Sequence, residues 1–176
     1  LLGGIVHALE LEEGFRVVGA NEVLSDLAAP TGPLGQFRPD QDVEADIAHG
    51  VRVLQTTGAL DIGQAVIVQQ GIVLGIEAAE GTHRLLERCR ELRREGRGGV
   101  LVKLPKPGQE TRADMPSIGP DTVTAACAAG LAGIAIGAGA TLVFEQAVVV
   151  SAADAEELFV VGIRPEVYVE DYDSKS

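Results

Sequence analysis

The segment KLPKPGQETRADMPSIG, residues 103–119, brings positively and negatively charged side chains together on a stretch that three prolines stiffen. Lys103, Lys106 and Arg112 can neutralise phosphate oxygens, and Asp114 can hold Mg²⁺ or orient a water molecule. Loops of this length in a compact domain are usually functional or disordered, and the prolines disfavour disorder because each fixes φ. The segment therefore predicts a loop that handles phosphate, although its spacing leaves open that these charges are only solvated.

A second set of candidates, at residues 77–83, ends a predicted strand and begins a predicted helix. Glu77 and Glu80 could join Asp114 around a metal ion, or they could simply face water. Thr82 is a candidate N-cap, and the free amides of a helix start bind anions. An ordinary helix cap accounts for the same pattern, so both interpretations of this segment stay open.

The charge of the chain is negative overall but uneven. A net charge of −12 disfavours bulk binding to nucleic acid or to an anionic membrane. Six of the eleven arginines nevertheless fall between Arg84 and Arg97. This pattern is typical of a solvated helix face, and the alternative is attraction to anionic lipid headgroups.

The cysteines and the chain ends bear on the compartment. Cys89 and Cys127 lack metal-ligand spacing and are typical of small buried side chains in a reducing compartment. We find no signal peptide and no apolar run long enough to span a bilayer. The chain starts without Met inside a helix-like pattern. We therefore expect a cytoplasmic protein whose sequence is part of a longer one.

Periodicity predicts an α/β fold, a layered mixed sheet flanked by helices. The hydrophobic pattern predicts a β-hairpin with Gln70-Gly71 at its turn and a helix with Pro120 at its first position. The other predicted helices lie at 1–13, 42–58, 81–96 and 151–159, and the other strand candidates at 14–20, 98–104, 133–137, 141–144, 147–150 and 159–163. We expect a truncated N-terminal and linker segment at 1–41, a catalytic domain at 42–165 and a flexible acidic tail at 166–176.

The chain resembles the UDP-2,3-diacylglucosamine pyrophosphatases of the LpxI type over nearly all of residues 1–165. The resemblance rests on the stretches LDIGQAVIVQQGIVLGIEAAEGT (60–82), LVKLPKPGQETRADMPSIG (101–119) and AGLAGIAIGAG (129–139). It implies the C-terminal domain of a two-domain enzyme whose N-terminal domain is missing here. Two positions depart from the family pattern, because His83 and Gly137 stand where acidic residues are common.

The resemblance also implies an activity and a site. The expected reaction is hydrolysis of UDP-2,3-diacylglucosamine to UMP and 2,3-diacylglucosamine 1-phosphate (lipid X), in lipid A biosynthesis, with Mg²⁺ or another divalent cation. The expected enzyme is peripheral to the cytoplasmic face of the inner membrane of a Gram-negative bacterium. Asp114 and Lys106 are the expected catalytic residues, and Asp114, Glu77 and Glu80 the expected metal ligands. The expected substrate-binding residues are Lys103, Gln109, Arg112, Gly81, Thr82 and Ser117.

A different class of function stays open beside this one. The chain could be a non-catalytic module that binds a nucleotide or a lipid headgroup, or an oligomerisation domain, with Asp114 capping the turn before Pro116. A homo-oligomer is compatible with either function.

Overall fold

The computed structural model describes residues 2–18, 25–96, 98–107 and 115–168 of the chain. The helices are α1 (Leu2–Leu11), α2 (Gln41–Gly58), α3 (Gly81–Cys89), α4 (Pro120–Ala128) and α5 (Gln146–Ala155). The strands are β1 (Gly32–Pro33), β2 (Ala65–Gln69), β3 (Ile72–Ile76), β4 (Val100–Lys103), β5 (Ser117–Ile118), β6 (Gly133–Gly137), β7 (Leu142–Val143) and β8 (Phe159–Ile163). Short 3-10 helices lie at Ser25–Leu27 and Arg90–Leu92.

Six of these strands form a mixed sheet in the order β1-β8-β6-β4-β2-β3. The central strands β4, β6 and β8 are parallel to one another. β2 pairs antiparallel with β4, and β3 and β1 are the antiparallel edge strands. A separate parallel pair joins β5 to β7. The mixed α/β sheet predicted from the sequence is confirmed.

Helices cover both faces of the sheet, because the central strands are apolar on both sides. On one face, α2 buries Ile47 and Val51 against strand residues such as Val66 and Val102. On the other face, α3, α4 and α5 bury a second cluster of aliphatic side chains against the same strands, including Leu85, Val123, Val149, Ile67, Leu101, Ile134 and Val160. The domain is therefore a helix–sheet–helix sandwich.

Most of the predicted elements are present. The hairpin turns at Gln70 and Gly71, whose φ values of 53° and 75° are those of a tight two-residue turn. α2 ends at Gly58, and Pro120 is the first residue of α4, as predicted. β1 lies within the stretch predicted as a linker, and it pairs with β8. Residues 14–18, predicted as a strand or extended entry, form no strand, and 19–20 lie outside the described residues.

The strand predicted at 147–150 is wrong, because these valines belong to α5. The prediction rested on the β propensity of branched side chains, which is a weak preference that burial overrides. Val149 and Ala153, four positions apart, are both buried, whereas Val148 is exposed. This spacing places one face of a helix on the core, so tertiary packing favours a helix over a strand here.

The tip of the β2–β3 hairpin is held by side chains that the sequence did not single out. Asp46 of α2 is buried and accepts the backbone N–H groups of Gln70 and Gly71, at 2.8 and 2.6 Å. Gln69 is also buried, and its amide exchanges two hydrogen bonds with the backbone of Arg94. The hairpin is therefore anchored at its turn to α2 and to the segment that follows the Arg90–Leu92 3-10 helix.

The described helices include none that combines the length and the apolar character needed to cross a bilayer.

Candidate active site

Polar residues from three strands meet at one edge of the sheet. The parallel strands β4, β6 and β8 all end at this edge, where ligands of α/β proteins bind. β4 ends at Lys103, which lies opposite Ala65 at the start of β2, and β3 ends one residue before Glu77. Residues 61–64, residues 77–79 and Lys106 line a cleft of about 450 Å³ here.

A chain of hydrogen bonds joins Lys103 to this cleft. The Lys103 ammonium donates to the Thr82 hydroxyl at 2.9 Å, and that hydroxyl donates to Glu77 Oε1 at 2.9 Å. The second carboxylate oxygen, Oε2, accepts the backbone N–H of Gln64 at 3.2 Å. The cation, the hydroxyl and the anion thus come from β4, the first turn of α3 and the end of β3.

Lys103 is buried, with 7% of its surface exposed. Burial lowers the pKa of its ammonium from the ordinary value, and the nearby Glu77 carboxylate partly opposes this effect. Lysine is rarely buried unless it has a partner. The solvated-loop alternative is therefore wrong for Lys103, which the fold places inside the protein at the end of a core strand.

Lys106 reaches the cleft from the other side. Its ammonium lies 2.5 Å from Asp61 Oδ1 and 3.4 Å from the Asp61 carbonyl oxygen. The hydrogen bond and the charge of Lys106 lower the pKa of the Asp61 carboxyl. Asp61 has a φ of 59°, a conformation that non-glycine residues seldom adopt. Such conformations cluster at functional sites, so Asp61 joins the candidate residues.

Gly63 allows the two walls of the cleft to approach each other. Its φ is 60°, and a Cβ atom at this position would lie 2.0 Å from the Glu77 carbonyl oxygen. Glycine is therefore required here for both its conformation and its size. The close approach brings the next residue, Gln64, within hydrogen-bonding distance of the Glu77 carboxylate.

The start of α3 differs from the predicted cap. Gly81 is the first helical residue, and Glu80 occupies the N-cap position without a side-chain cap. The prediction that Thr82 is the N-cap is wrong, because its hydroxyl bonds to Glu77 instead. Glu80 accepts hydrogen bonds from the Arg88 guanidinium and from the backbone N–H of Ala78.

The remaining predicted residues divide into two groups. Ser117 lies half-buried in β5, within the small two-stranded sheet, and it does not line the cleft at 61–64 and 77–79. Gln109, Arg112 and Asp114 fall in 108–114, outside the described residues. Their roles stay predictions, as do those of Gly81, Thr82, Lys103 and Lys106 as substrate-binding or catalytic groups.

The carboxylates near the cleft are the candidate metal ligands among the described residues. Within the described ranges, no group of three or more His, Cys, Asp or Glu side chains is arranged to hold a metal ion. Both oxygens of Glu77 accept hydrogen bonds from the protein, and so do both oxygens of Glu80. The described carboxylates therefore do not form a metal site by themselves.

Two residues of the cleft were missed by the sequence reasoning, Asp61 and Gln64. The Gln64 amide oxygen is buried and has no hydrogen-bond partner among the residues described. A buried acceptor of this kind is costly to leave unpaired, which makes Gln64 a candidate residue of the cleft. The signal for both was the D-I-G-Q sequence directly before a buried strand, since Asp and Gly together indicate a turn.

Comparisons with known proteins agree with this architecture. A family model for the LpxI C-terminal domain matches residues 30–161. The chain is 45% identical over 161 residues to a UDP-2,3-diacylglucosamine pyrophosphatase LpxI from Caulobacter vibrioides. This alignment covers 88% of the chain and 58% of the relative, so the chain spans somewhat more than half the length of that protein. The resemblance seen in the sequence is confirmed, and the chain belongs to the LpxI C-terminal domain family.

Proposed function

We propose that the protein hydrolyses UDP-2,3-diacylglucosamine, the substrate in the name of its Caulobacter vibrioides relative, to UMP and 2,3-diacylglucosamine 1-phosphate. The observation that carries this proposal is the pair of lysines at the carboxyl edge of the sheet. Lys103 is buried and fixed through Thr82, and Lys106 lines the adjoining cleft. Two cations at one edge of the sheet suit a diphosphate.

The reaction needs charge stabilisation more than covalent chemistry. A water oxygen attacks the α-phosphorus, and the bond from that phosphorus to the bridging oxygen breaks, which leaves UMP and the sugar 1-phosphate. Negative charge develops on the phosphoryl and bridging oxygens, and preorganised cations stabilise it. Lys103 and Lys106 supply these cations in this proposal, with Arg112 as a third from the adjacent loop.

Asp114 is the proposed catalytic carboxylate, and Mg²⁺ or another divalent cation the proposed cofactor. Such a cation, when bound, would add charge neutralisation on the diphosphate. Asp114 is the proposed ligand, whereas Glu77 and Glu80 were expected as ligands from the sequence alone. Glu77 and Glu80 already accept hydrogen bonds from the protein, so we assign no chemical step to a metal on these residues.

The acylated substrate leads to a proposed location. We propose that the enzyme is cytoplasmic and docks peripherally on the inner membrane through the arginines at 84–97. The guanidinium groups of Arg88 and Arg94 are partly engaged with the protein, by Glu80 and by Gln70 respectively. Arg84 and Arg90 are exposed, and they are the better candidates for contact with headgroups.

The test is release of UMP from UDP-2,3-diacylglucosamine by the full-length gene product, with Mg²⁺ and with a chelator. Asp114→Asn should reduce turnover at least about a hundredfold, the scale of losing a main electrostatic or acid–base group. Its thermal midpoint should match that of the unmodified protein, and it should still bind the substrate.

Two outcomes would contradict the proposal. If Asp114→Asn retains more than about a tenth of the turnover at saturating Mg²⁺, then Asp114 is not the essential carboxylate. If the unmodified protein binds UDP or the lipid but releases no UMP, the protein is a binding module rather than a hydrolase.

A further inference from the structure

The hydrogen-bond chain Lys103–Thr82–Glu77 has a direction. The ammonium of Lys103 can only donate, and the ionised carboxylate of Glu77 can only accept. The Thr82 hydroxyl between them accepts from Lys103 and donates to Glu77, each at 2.9 Å. A single hydroxyl therefore connects a buried cation to a buried anion, and each hydrogen bond of the chain has one donor and one acceptor.

Glu77 is the fixed end of this chain. It is 6% exposed, and its backbone N–H donates to the carbonyl of Ala65 at 2.8 Å. Its carboxylate is held on both oxygens, by Thr82 and by the N–H of Gln64. The carboxylate cannot rotate without breaking one of these bonds, so it gives the hydroxyl a fixed acceptor.

Lys103 is the end of the chain whose ammonium is held in place by the Thr82 hydroxyl. A lysine side chain has four rotatable bonds, so fixing it in one conformation costs conformational entropy. Within the described residues, Thr82 is the hydrogen-bond partner of its ammonium, and an ammonium has three N–H donors. The remaining donors suit the oxygens of an anionic ligand at the sheet edge.

We infer that Glu77 is a positioning residue, which acts through the Thr82 hydroxyl to hold the Lys103 ammonium where the substrate presents its diphosphate. This inference rests on the proposed function for the identity of the ligand. It assigns to Glu77 a role different from that of a metal ligand, and it makes Thr82 a connector between Glu77 and Lys103 rather than a direct contact of the substrate.

The matched variants are Thr82→Val, which keeps the shape and removes the hydroxyl, and Thr82→Ser, which keeps the hydroxyl. Thr82→Val should lower kcat about tenfold with KM changed less than about twofold, because Lys103 would be misplaced for the charge of the transition state. Thr82→Ser should restore most of kcat. Equal losses in Thr82→Ser and Thr82→Val would overturn the inference.

Glu77→Gln separates positioning from metal binding. If Glu77 is a positioning residue, the Mg²⁺ concentration for half-maximal activity in Glu77→Gln should stay within about twofold of that of the unmodified protein, because no metal ligand has been lost. A positioning role also predicts that Glu77→Gln and Thr82→Val are non-additive when combined, as expected for members of one hydrogen-bond network. A tenfold or greater rise in the Mg²⁺ requirement, or simple additivity, would overturn the inference.

A measurement without substrate makes the inference independent of the proposed reaction. The lysines of the chain are Lys103, Lys106 and Lys175, so a lysine-labelled protein gives few side-chain NMR signals, which Lys103→Arg assigns. The two Cε protons of Lys103 should differ in shift in the unmodified protein and in Thr82→Ser, because the ammonium is held. They should become equivalent in Thr82→Val, or in Thr82→Ala should the valine variant fail to fold.

The two kinds of failure are distinguishable. Unchanged Lys103 signals in the hydroxyl-free variants would overturn the positioning role whatever the enzyme hydrolyses. Signals that change as expected, in a protein that releases no UMP, would support the holding of Lys103 and overturn the proposed function.

Discussion

The Lys106 ammonium and the Asp61 carboxylate form an ion pair at 2.5 Å across the mouth of the cleft. Asp61 is 89% exposed, whereas Lys106 is 26% exposed. The Asp61 side chain is therefore mostly in solvent, whereas most of the Lys106 side chain is shielded, and both residues line the cleft. This arrangement makes Asp61 a candidate for orienting Lys106 toward a ligand, because the carboxylate sets the direction of the ammonium.

Asp61→Asn should lower turnover about two- to fivefold, the scale of an exposed ion pair. Lys106→Ala should cost more, about tenfold, because it removes the cation itself.

Lys106 lowers the pKa of Asp61 below the ordinary 3.8. The pair is therefore kept at neutral pH and is lost only as the pH falls through the lowered pKa, so the Asp61→Asn to wild-type rate ratio should be constant between pH 5 and pH 8. A ratio that changes across this range would contradict the assignment, and carboxyl NMR of Asp61 with and without Lys106→Met is the direct check.

Lys103→Met should abolish most of the turnover and lower the stability of the fold. Methionine has a similar length, but without the ammonium the buried carboxylate of Glu77 loses its nearby compensating charge, which is costly. Turnover should fall about a hundredfold, the scale for one main electrostatic group. Urea unfolding at pH 7 is the measurement, with Lys106→Met, which is only partly buried, as the control.

The pH dependence of Lys103 has a definite sign. Burial lowers its pKa in the folded protein, so the unfolded chain binds this proton more tightly. Stability from this group therefore rises with pH as the pH passes through the lowered pKa toward the ordinary 10.5. The stability of Lys103→Met relative to the unmodified protein should therefore fall over the same range, and a difference that is independent of pH would show that Lys103 is not the cause.

Gly63→Ala should destabilise the protein by about 1–3 kcal/mol, the cost of an unfavourable backbone conformation. The new methyl group would also meet the Glu77 carbonyl oxygen at 2.0 Å. Gly71→Ala is the matched control, because its φ is also positive but a Cβ there meets nothing within 4 Å. A loss no larger in Gly63→Ala than in Gly71→Ala, by urea unfolding, would show that the contact with Glu77 does not matter.

Arg84→Glu combined with Arg90→Glu should weaken co-sedimentation with vesicles of anionic lipid at low salt by about tenfold or more. Each basic residue near such a surface contributes to binding, and reversal replaces attraction by repulsion. Arg38→Glu with Arg164→Glu is the control, since both residues are exposed but lie outside the cluster. Equal effects of the two pairs would indicate a response to net charge rather than a docking face.

The elements that the sequence predicted well are those with strong local signals. The hairpin has two apolar runs around Gln70-Gly71, and α2 has a regular apolar face that ends at Gly58. The failure at 147–150 has the opposite cause, because a run of valines carries no information on which of its members will be buried. In α5 only tertiary packing selects Val149 for the core.

The site was predicted by residue type more than by arrangement. Lys103 and Glu77 were candidates from the sequence, but their connection through Thr82 depends on the pairing of β2 with both β3 and β4. Asp61 was missed, because its link to Lys106 spans 45 positions of the chain. Contacts of this range follow from strand order and register, which local patterns do not encode.

The anchoring of the β2–β3 hairpin has a consequence for the motions of the cleft. β3 is an edge strand, and edge strands ordinarily fray and exchange their amide protons quickly. Here Asp46 and Gln69 fasten the turn, and Glu77 fastens the other end through Ala65 and Gln64. Because both ends of β3 are held, opening this strand requires breaking the hydrogen bonds to Asp46 of α2 as well as those to β2. The amides that β3 shares with β2 should therefore exchange nearly as slowly as those of the central strands, and the wall of the cleft that Glu77 forms should stay rigid while ligands come and go.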